Sequence, residues 1–183
     1  MSELIKLHDL TFEPYMDAET IQKKVVELGV QLSQDFAGKR PLFLAILNGA
    51  FIFAADLVRA CELEHEISFI KLSSYEGVAS SGKVVTQLGL QENVKDRDLI
   101  LVEDIVDTGK TMHTFLHTLR EQEPASVKLV SLLSKPDSQQ YEVAIDYAGF
   151  KIPDLFVVGY GLDYDGLARN LNDIYLLKQD DQA

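Results

Sequence analysis

The stretch at 98–111, DLILVEDIVDTGKT, constrains the fold of this chain more than any other part of the sequence. Its first five residues are mostly aliphatic and are bounded by charged residues, which predicts a buried strand of a parallel sheet. Residues 110–120 then have helical spacing, so Gly109 marks the turn from strand to helix. A helix that begins here presents unpaired backbone N–H groups and the positive end of its dipole. Residues 108–111 therefore form a suitable seat for a phosphate group.

Two carboxylates, Glu103 and Asp104, stand between the predicted strand and the glycine. The GKT at 109–111 also closes the P-loop of nucleoside triphosphatases, but that motif has a glycine where this chain has Asp104. Ionised carboxylates would repel a polyphosphate, whereas they can accept hydrogen bonds from adjacent ribose hydroxyls or hold a Mg²⁺ shared with those hydroxyls. The pattern therefore favours a phosphorylated ribose as the ligand. An acidic, well-capped turn that binds nothing is the alternative.

Composition and charge limit the kinds of function that are open to the chain. Its 183 residues are 46% hydrophobic and 25% charged, as expected for one α/β domain with its own core. The net charge of −12 argues against nucleic acid as a partner, and it means that an anionic ligand needs local compensation. We expect helix N-termini, a few cations and Mg²⁺ to provide it. No apolar run reaches the roughly 20 residues of a membrane span, and the N-terminus lacks a leader pattern, so we expect a cytoplasmic protein without membrane contact.

Helix and strand patterns alternate along the chain. The expected helices are 18–37, a second that ends near residue 60, and 110–120. The expected strands are 42–47, 67–72, 98–102, 127–133, 156–161 and 173–177, with a polar loop at 73–83. This alternation predicts a parallel sheet that is covered by helices on both faces and binds ligands at the carboxyl ends of its strands.

The acidic pair, two aliphatic residues and Asp-Thr-Gly-Lys-Thr at 103–111 resemble the phosphoribosyl-pyrophosphate (PRPP) loop of the type I phosphoribosyltransferases. SLLSKP at 131–136 and IPDLFVVGYGLDYDGLARNLNDIY at 152–175 are similar to the hypoxanthine–guanine branch of that family. The resemblance implies the type I phosphoribosyltransferase fold: one domain over 1–183, with a central parallel sheet flanked by helices and a small hood from about 1–15 and 140–183. It also implies purine salvage by a homodimer or homotetramer, through Mg²⁺-dependent transfer of phosphoribosyl from PRPP to hypoxanthine or guanine.

The resemblance assigns a role to each residue of the PRPP loop. Asp107 is expected to act as general base toward the purine nitrogen, and a structural aspartate that caps the helix is the alternative. Glu103 and Asp104 are expected to hold the ribose diol and Mg²⁺. The other expected PRPP and phosphate contacts are Ile105, Val106, Thr108, Gly109, Lys110 and Thr111.

Pyrophosphate is expected to bind three further segments. ILNGAF at 46–51 resembles the pyrophosphate loop of the family, which implies a cis peptide between Leu47 and Asn48 and a close backbone approach at Gly49. The branch often has lysine where this chain has Asn48, so the backbone role carries over more fully than the side-chain role. By the resemblance, the Ser-Tyr pair in the loop at 73–83 matches a lid that closes over the site; an ordinary surface loop is the alternative. The expected pyrophosphate contacts are Asn48, Gly49, Ser74, Tyr75 and Arg169.

The purine is expected to contact Lys135 and the segment that begins at 152. An ammonium group has donors and no acceptor, so Lys135 would favour a 6-oxopurine over a 6-aminopurine; a solvated lysine is the alternative. Phe156 is expected to stack on the base, with a core phenylalanine as the alternative. The backbone around Val157 and Leu162 would read the base edge, and Asp163 would hold a second Mg²⁺ partly through water. Two other functions stay open: a xanthine-preferring phosphoribosyltransferase and a nucleotide-responsive regulator on the same fold.

Overall fold

The computed structural model describes residues 3–73, 85–88 and 92–178. In chain order its helices are α1 (Ala18–Asp35), α2 (Phe51–Ala60) and α3 (Lys110–Arg120). Its strands are β1 (Ile5–Leu7), β2 (Leu10–Met16), β3 (Leu42–Leu47), β4 (Glu66–Ser73), β5 (Val85–Leu88), β6 (Asp98–Val106), β7 (Ser126–Ser134), β8 (Tyr147–Lys151), β9 (Val157–Val158) and β10 (Ile174–Leu177).

A six-stranded sheet forms the centre of the molecule, in the order β5-β4-β3-β6-β7-β8. Its pairs are parallel except for β4 with β5. The carboxyl ends of five strands therefore lie along one edge, with β6 near the middle of the row. The predicted type I phosphoribosyltransferase fold, a parallel sheet flanked by helices, is confirmed.

Helices cover both faces of this sheet because their apolar residues recur at helical spacing. α1 begins where the Asp17 carboxylate accepts a hydrogen bond of 2.7 Å from the Thr20 amide, and it buries Ile21, Val25, Leu28 and Leu32. It packs with α2 on one face. α3 covers the other face and buries Met112, Phe115, Leu116 and Leu119. The strands between them are therefore buried on both sides, which explains their continuous apolar runs.

A smaller antiparallel sheet, in the order β1-β2-β10-β9, forms the hood. Phe12 on β2 and Val158 on β9 are fully buried in its core. The sequence predicts a hood from about 1–15 and 140–183, but Tyr147–Lys151 pairs in parallel with β7 and so belongs to the large sheet. The second segment of the hood therefore begins after β8.

Two strands differ from their predicted bounds by more than one residue at an end. The predicted strand 98–102 continues to Val106, so the acidic pair and the two aliphatic residues after it lie on β6 rather than in a loop. The predicted strand 156–161 is reduced to Val157–Val158. The described residues contain no helix that is both long and apolar enough to span a bilayer.

Candidate active site

The acidic pair, Glu103 and Asp104, lies near the carboxyl end of β6. Both side chains are largely shielded from water. Oε2 of Glu103 is buried and has no hydrogen-bond partner among the described residues. Burial raises the pKa of Glu103 well above its usual value, and the neighbouring Asp104 charge raises it further. Burial also raises the pKa of Asp104 to about 6, although the amide of Ile105 donates to its Oδ1 at 2.9 Å. A buried oxygen without a partner indicates a site that is completed by a ligand.

Replacing Asp104 with asparagine should stabilise the ligand-free protein at pH 8. The folded-state pKa of about 6 lies above the ordinary value of 3.8, so stability falls as the pH rises from about 4 to about 6. Asparagine removes that loss and keeps an oxygen for the Ile105 amide. Urea unfolding in the presence of a chelator should show a gain of about 1–3 kcal/mol at pH 8 and little change at pH 4.

Asp98, at the other end of β6, provides a control of opposite sign. The Ser126 hydroxyl hydrogen bond lowers its pKa, so its carboxylate stabilises the fold above the unfolded pKa and loses that effect as the pH falls. Asp98→Asn should therefore destabilise the protein at pH 8. If Asp104→Asn also destabilised the protein at pH 8, ionisation of the buried Asp104 carboxyl group would not be what costs the fold stability.

Two glycines bring the loop after β3 and the loop after β9 against the acidic pair. A Cβ added at Gly49 would lie 1.6 Å from Oδ2 of Asp104, and one added at Gly161 would lie 2.0 Å from the Gly49 carbonyl oxygen. Gly161 also has a φ of +102°, a backbone conformation that residues other than glycine rarely adopt. The peptide between Leu47 and Asn48 is cis, as the resemblance implies. Asn48 itself is exposed beside this contact.

The turn at 107–109 joins the end of β6 to the start of α3. Gly109 has a left-handed φ of +80°, and α3 begins at Lys110. The Thr108 carbonyl accepts hydrogen bonds from the Gln140 and Tyr141 amides at 3.0 and 3.1 Å, which fixes the turn from the neighbouring loop. The first amides of a helix have no acceptor within the helix, so an N-terminus at this edge suits an anion.

Ile105 and Val106, expected among the phosphate contacts, lie inside β6 and pair there with Leu133 and Ser134 of β7. The Val106 side chain is buried on the α3 face. Its carbonyl oxygen accepts a hydrogen bond of 2.9 Å from the Lys135 amide. Of the other predicted phosphate contacts, Thr108 and Gly109 lie in the turn, and Lys110 and Thr111 are the first residues of α3.

Lys135 follows β7 and is almost completely buried, with 8% of its side chain exposed. Its Nζ lies 3.0 Å from Oδ2 of Asp107 and 3.1 Å from Oδ1 of Asp154. The structure thus brings together the predicted general base and the predicted purine contact. Asp154 was not a predicted site residue, since an aspartate after Ile-Pro in a polar turn gives no signal that it meets a lysine of another strand. The solvated lysine, the alternative considered from the sequence, is wrong.

Phe156 lies at the start of the second hood segment with one side of its ring supported and 42% of the residue exposed. Its ring centroid lies 6.0 Å from that of Phe12 and 5.9 Å from that of Tyr164, the latter in an edge-on arrangement. Val157 and Leu162 are buried. An aromatic ring that is supported on one side and exposed on the other can stack on a flat ligand.

Asp163 and Arg169 form an ion pair in the loop after β9. Nη2 of Arg169 lies 2.7 Å from Oδ1 of Asp163, and Nη1 donates to the Gly161 carbonyl at 2.7 Å. The other Asp163 oxygen accepts from the Gly166 amide at 2.7 Å. Both charges act on Asp104: Arg169 lowers its pKa and Asp163 raises it, although burial outweighs both. The predicted pyrophosphate arginine therefore also holds the loop together.

The part of the chain that the structure describes contains no preformed cluster of three or more His, Cys, Asp or Glu side chains suited to a metal ion. The predicted metal ligands, Glu103, Asp104 and Asp163, offer carboxylate oxygens only. Such a donor set fits Mg²⁺, which keeps several waters and is bound through one or two carboxylates together with its substrate. The lid residues, Ser74 and Tyr75, lie outside the described residues.

Comparisons with known proteins agree with this arrangement. A family model described as "Phosphoribosyl transferase domain" matches residues 13–165. A hypoxanthine-guanine phosphoribosyltransferase of Lactococcus lactis is 45% identical over 161 residues, which are 87% of this chain and 87% of that protein. One from Bacillus subtilis is 40% identical over 172 residues, 93% and 95% of the two chains. A solved hypoxanthine phosphoribosyltransferase from Staphylococcus aureus has a TM-score of 0.88 at 37% identity and covers 96% of each chain.

The chain belongs to the phosphoribosyltransferase family. The relatives just described all come from the hypoxanthine–guanine branch, and the branch predicted from SLLSKP and the segment at 152–175 is thereby confirmed. The protein is accordingly an enzyme, a transferase that transfers glycosyl groups.

Proposed function

We propose that the protein carries out purine salvage by transferring phosphoribosyl from PRPP to hypoxanthine or guanine, which gives IMP or GMP and releases pyrophosphate. The observation that carries this proposal is the buried, unpartnered Glu103 oxygen beside Asp104, on a strand that a three-residue turn connects to the N-terminus of α3. Hydroxyls of a ribose would donate hydrogen bonds to the carboxylates, and the amides at the N-terminus of α3 would bind the terminal phosphate. Family membership supports the same reaction.

PRPP binds in this scheme along the carboxyl ends of β3 and β6. The amides and side chains of residues 108–111 hold the 5-phosphate, while Glu103 and Asp104 hold the ribose diol. The pyrophosphate group lies toward Asn48, Gly49 and Arg169, with Ser74 and Tyr75 of the lid added on closure. An arginine fork suits phosphate oxygens, although Arg169 must share its donors with Asp163 and Gly161.

Mg²⁺ fits this site because the available ligands are carboxylate oxygens and because Glu103 and Asp104 need a cation to remain ionised together. We assign its protein contacts to Glu103 and Asp104, and those of a second ion to Asp163. When bound, the ion would neutralise charge on the pyrophosphate and on the acidic pair. A chelator should then abolish the activity, and added Mg²⁺ should restore it.

The purine lies in this scheme between Phe156 and Lys135. The exposed face of the Phe156 ring stacks on the base, Val157 and Leu162 border its edge, and the Lys135 ammonium donates to the 6-oxo group. Asp107, beside that ammonium, takes the proton from the imidazole-ring nitrogen as the nitrogen bonds to the sugar. Positioning of the two substrates and stabilisation of charge on a sugar that resembles an oxocarbenium ion supply the rest of the rate enhancement.

Lys135→Gln should lower kcat/KM for hypoxanthine and guanine by about 10–100-fold, the loss expected when a charged hydrogen-bond donor is replaced. The KM for PRPP should change little, because residues 103–111 remain in place. Lys151→Gln is the matched control, since Lys151 ends the neighbouring strand β8 and is exposed. An unchanged kcat/KM for guanine in Lys135→Gln would remove Lys135 from base recognition.

The proposal is tested by ultraviolet monitoring of hypoxanthine, guanine, xanthine and adenine with PRPP, with and without Mg²⁺. We expect Mg²⁺-dependent conversion of the first two and none of adenine. Preferred conversion of xanthine would revise the base, and inactivity on all four purines would contradict the proposed reaction. We further expect the enzyme to work in the cytoplasm and to form a homodimer or homotetramer. Light scattering after size-exclusion chromatography would measure the oligomeric state.

A further inference from the structure

Three neighbouring strands of the large sheet deliver one charged side chain each to the same point. Asp107 follows β6, Lys135 follows β7 and Asp154 lies shortly after β8. The Lys135 ammonium bridges the two carboxylates at 3.0 and 3.1 Å. The reaction as proposed above uses the first two of these groups and leaves Asp154 without a role.

Backbone hydrogen bonds fix this arrangement. The Lys135 amide donates to the Val106 carbonyl at 2.9 Å, next to Asp107. The Ile152 amide donates to the Ser134 carbonyl at 2.9 Å, and the Ile152 side chain is buried. Asp154 is therefore held beside the end of β7 by the chain itself, and its contact with Lys135 is not a chance meeting of two mobile side chains.

The contact contributes little to stability. Asp154 has 70% of its side chain exposed, and ion pairs with such a partner are worth little to the folded state. The contact matters instead for the Lys135 ammonium. The Lys135 side chain is only 8% exposed, and a buried ammonium needs an anion close by. The Lys135 hydrogen bond lowers the pKa of Asp154, so this carboxylate is ionised at neutral pH.

We propose that Asp154 is a positioning residue that holds the Lys135 ammonium at the purine pocket and shares its charge, so that Asp107 does not hold the lysine alone. An ammonium has three donors. Two are used by the carboxylates, and the third is left for the 6-oxo group of the base. Without Asp154 the ammonium would be drawn to Asp107, which would tie up the base that accepts the purine proton and weaken the contact to the purine. This inference rests on the proposed function.

The test compares Asp154→Asn with the wild-type enzyme in the ultraviolet assay with hypoxanthine and guanine. We expect the KM for the purine to rise about tenfold and the KM for PRPP to stay within about twofold. Asp154→Glu keeps the charge and should recover most of the loss. Asp137→Asn is the matched control, because Asp137 is an exposed aspartate in the short helical turn directly after Lys135 that makes no ion pair in the described residues.

The outcomes separate the two proposals. Equal purine KM values for Asp154→Asn and the wild type, or equal rises in the KM for purine and for PRPP, would overturn the positioning role while leaving the reaction intact. A wild-type enzyme that converts none of the four purines would overturn the reaction and this inference with it. Thermal unfolding of each variant identifies a loss that comes from misfolding, and the Asp154→Glu variant then decides the question.

Discussion

Replacing Asp107 with asparagine should lower kcat by about 10²–10⁴-fold, the range expected for loss of a general base. Asparagine keeps the size of the side chain and an oxygen for the Lys135 ammonium, which lies 3.0 Å away in the wild type. It cannot accept the purine proton. Since the amides of residues 108–111 remain, the KM for PRPP should stay within about twofold.

Initial rates over a range of both substrates would measure this split, with Asp137→Asn again as the exposed-aspartate control. An unchanged kcat together with a raised KM for PRPP would assign Asp107 to the structure of the turn. Comparison with Lys135→Gln is also informative, because that variant keeps the base and loses the purine contact. The two variants should therefore differ in kcat at saturating purine.

Replacing Gly49 with alanine should lower kcat/KM for PRPP by about 10²-fold or more, because the new methyl group would lie 1.6 Å from Oδ2 of Asp104. The atom in its way is the end of a side chain, so we expect the Asp104 carboxylate to move and the fold to survive. The effect should appear in PRPP use and much less in the free energy of unfolding. Steady-state kinetics and urea unfolding together would separate these two effects.

Gly38→Ala is the control for this variant. Gly38 lies after α1, away from the candidate site, and an added methyl group there would meet nothing within 4 Å. Its φ of +75° makes alanine strained, so some stability is lost, but the activity should be unchanged. If Gly49→Ala used PRPP as well as Gly38→Ala does, the close contact between Gly49 and Asp104 would have no part in binding.

The parts of the fold that sequence predicts best are those where one physical signal dominates. The helical stripe of α1 is buried, and so are β3 and β7 apart from the last residue of β3 and the first three of β7, as their patterns require. β6 is longer than predicted because Glu103 and Asp104 break its apolar run, although the backbone continues to pair with β7 as far as Val106. The two functional carboxylates therefore make the end of β6 hard to predict from the apolar pattern.

Other elements escape prediction because their signals conflict. β2 contains Pro14, which argues against a strand, yet it lies in the hood sheet between β1 and β10. β8 contains Gly149, which is poor in strands; here it allows close packing, because an added Cβ would lie 2.3 Å from the Leu132 carbonyl oxygen. Such approaches between distant residues leave no local pattern.

The candidate site was predictable to the extent that its residues follow strand ends. Asp107 and Lys135 each come after a buried strand, and parallel neighbours place their side chains together. The ion pair between Asp107 and Lys135 depends on side-chain directions, and the contact with Asp154 depends also on the turn at 152–154. Neither can be predicted from the identity of a single residue. Tyr164, which supports Phe156, was missed for the same reason.

A crystal structure of the protein with IMP tests the central claim most directly, because it locates the phosphate, the ribose and the base at once. We predict the 5-phosphate about 3 Å from the amides of residues 108–111, the ribose hydroxyls on Glu103 and Asp104, and the purine between Phe156 and Lys135. A nucleotide bound elsewhere, or bound with its ribose away from the acidic pair, would contradict the account.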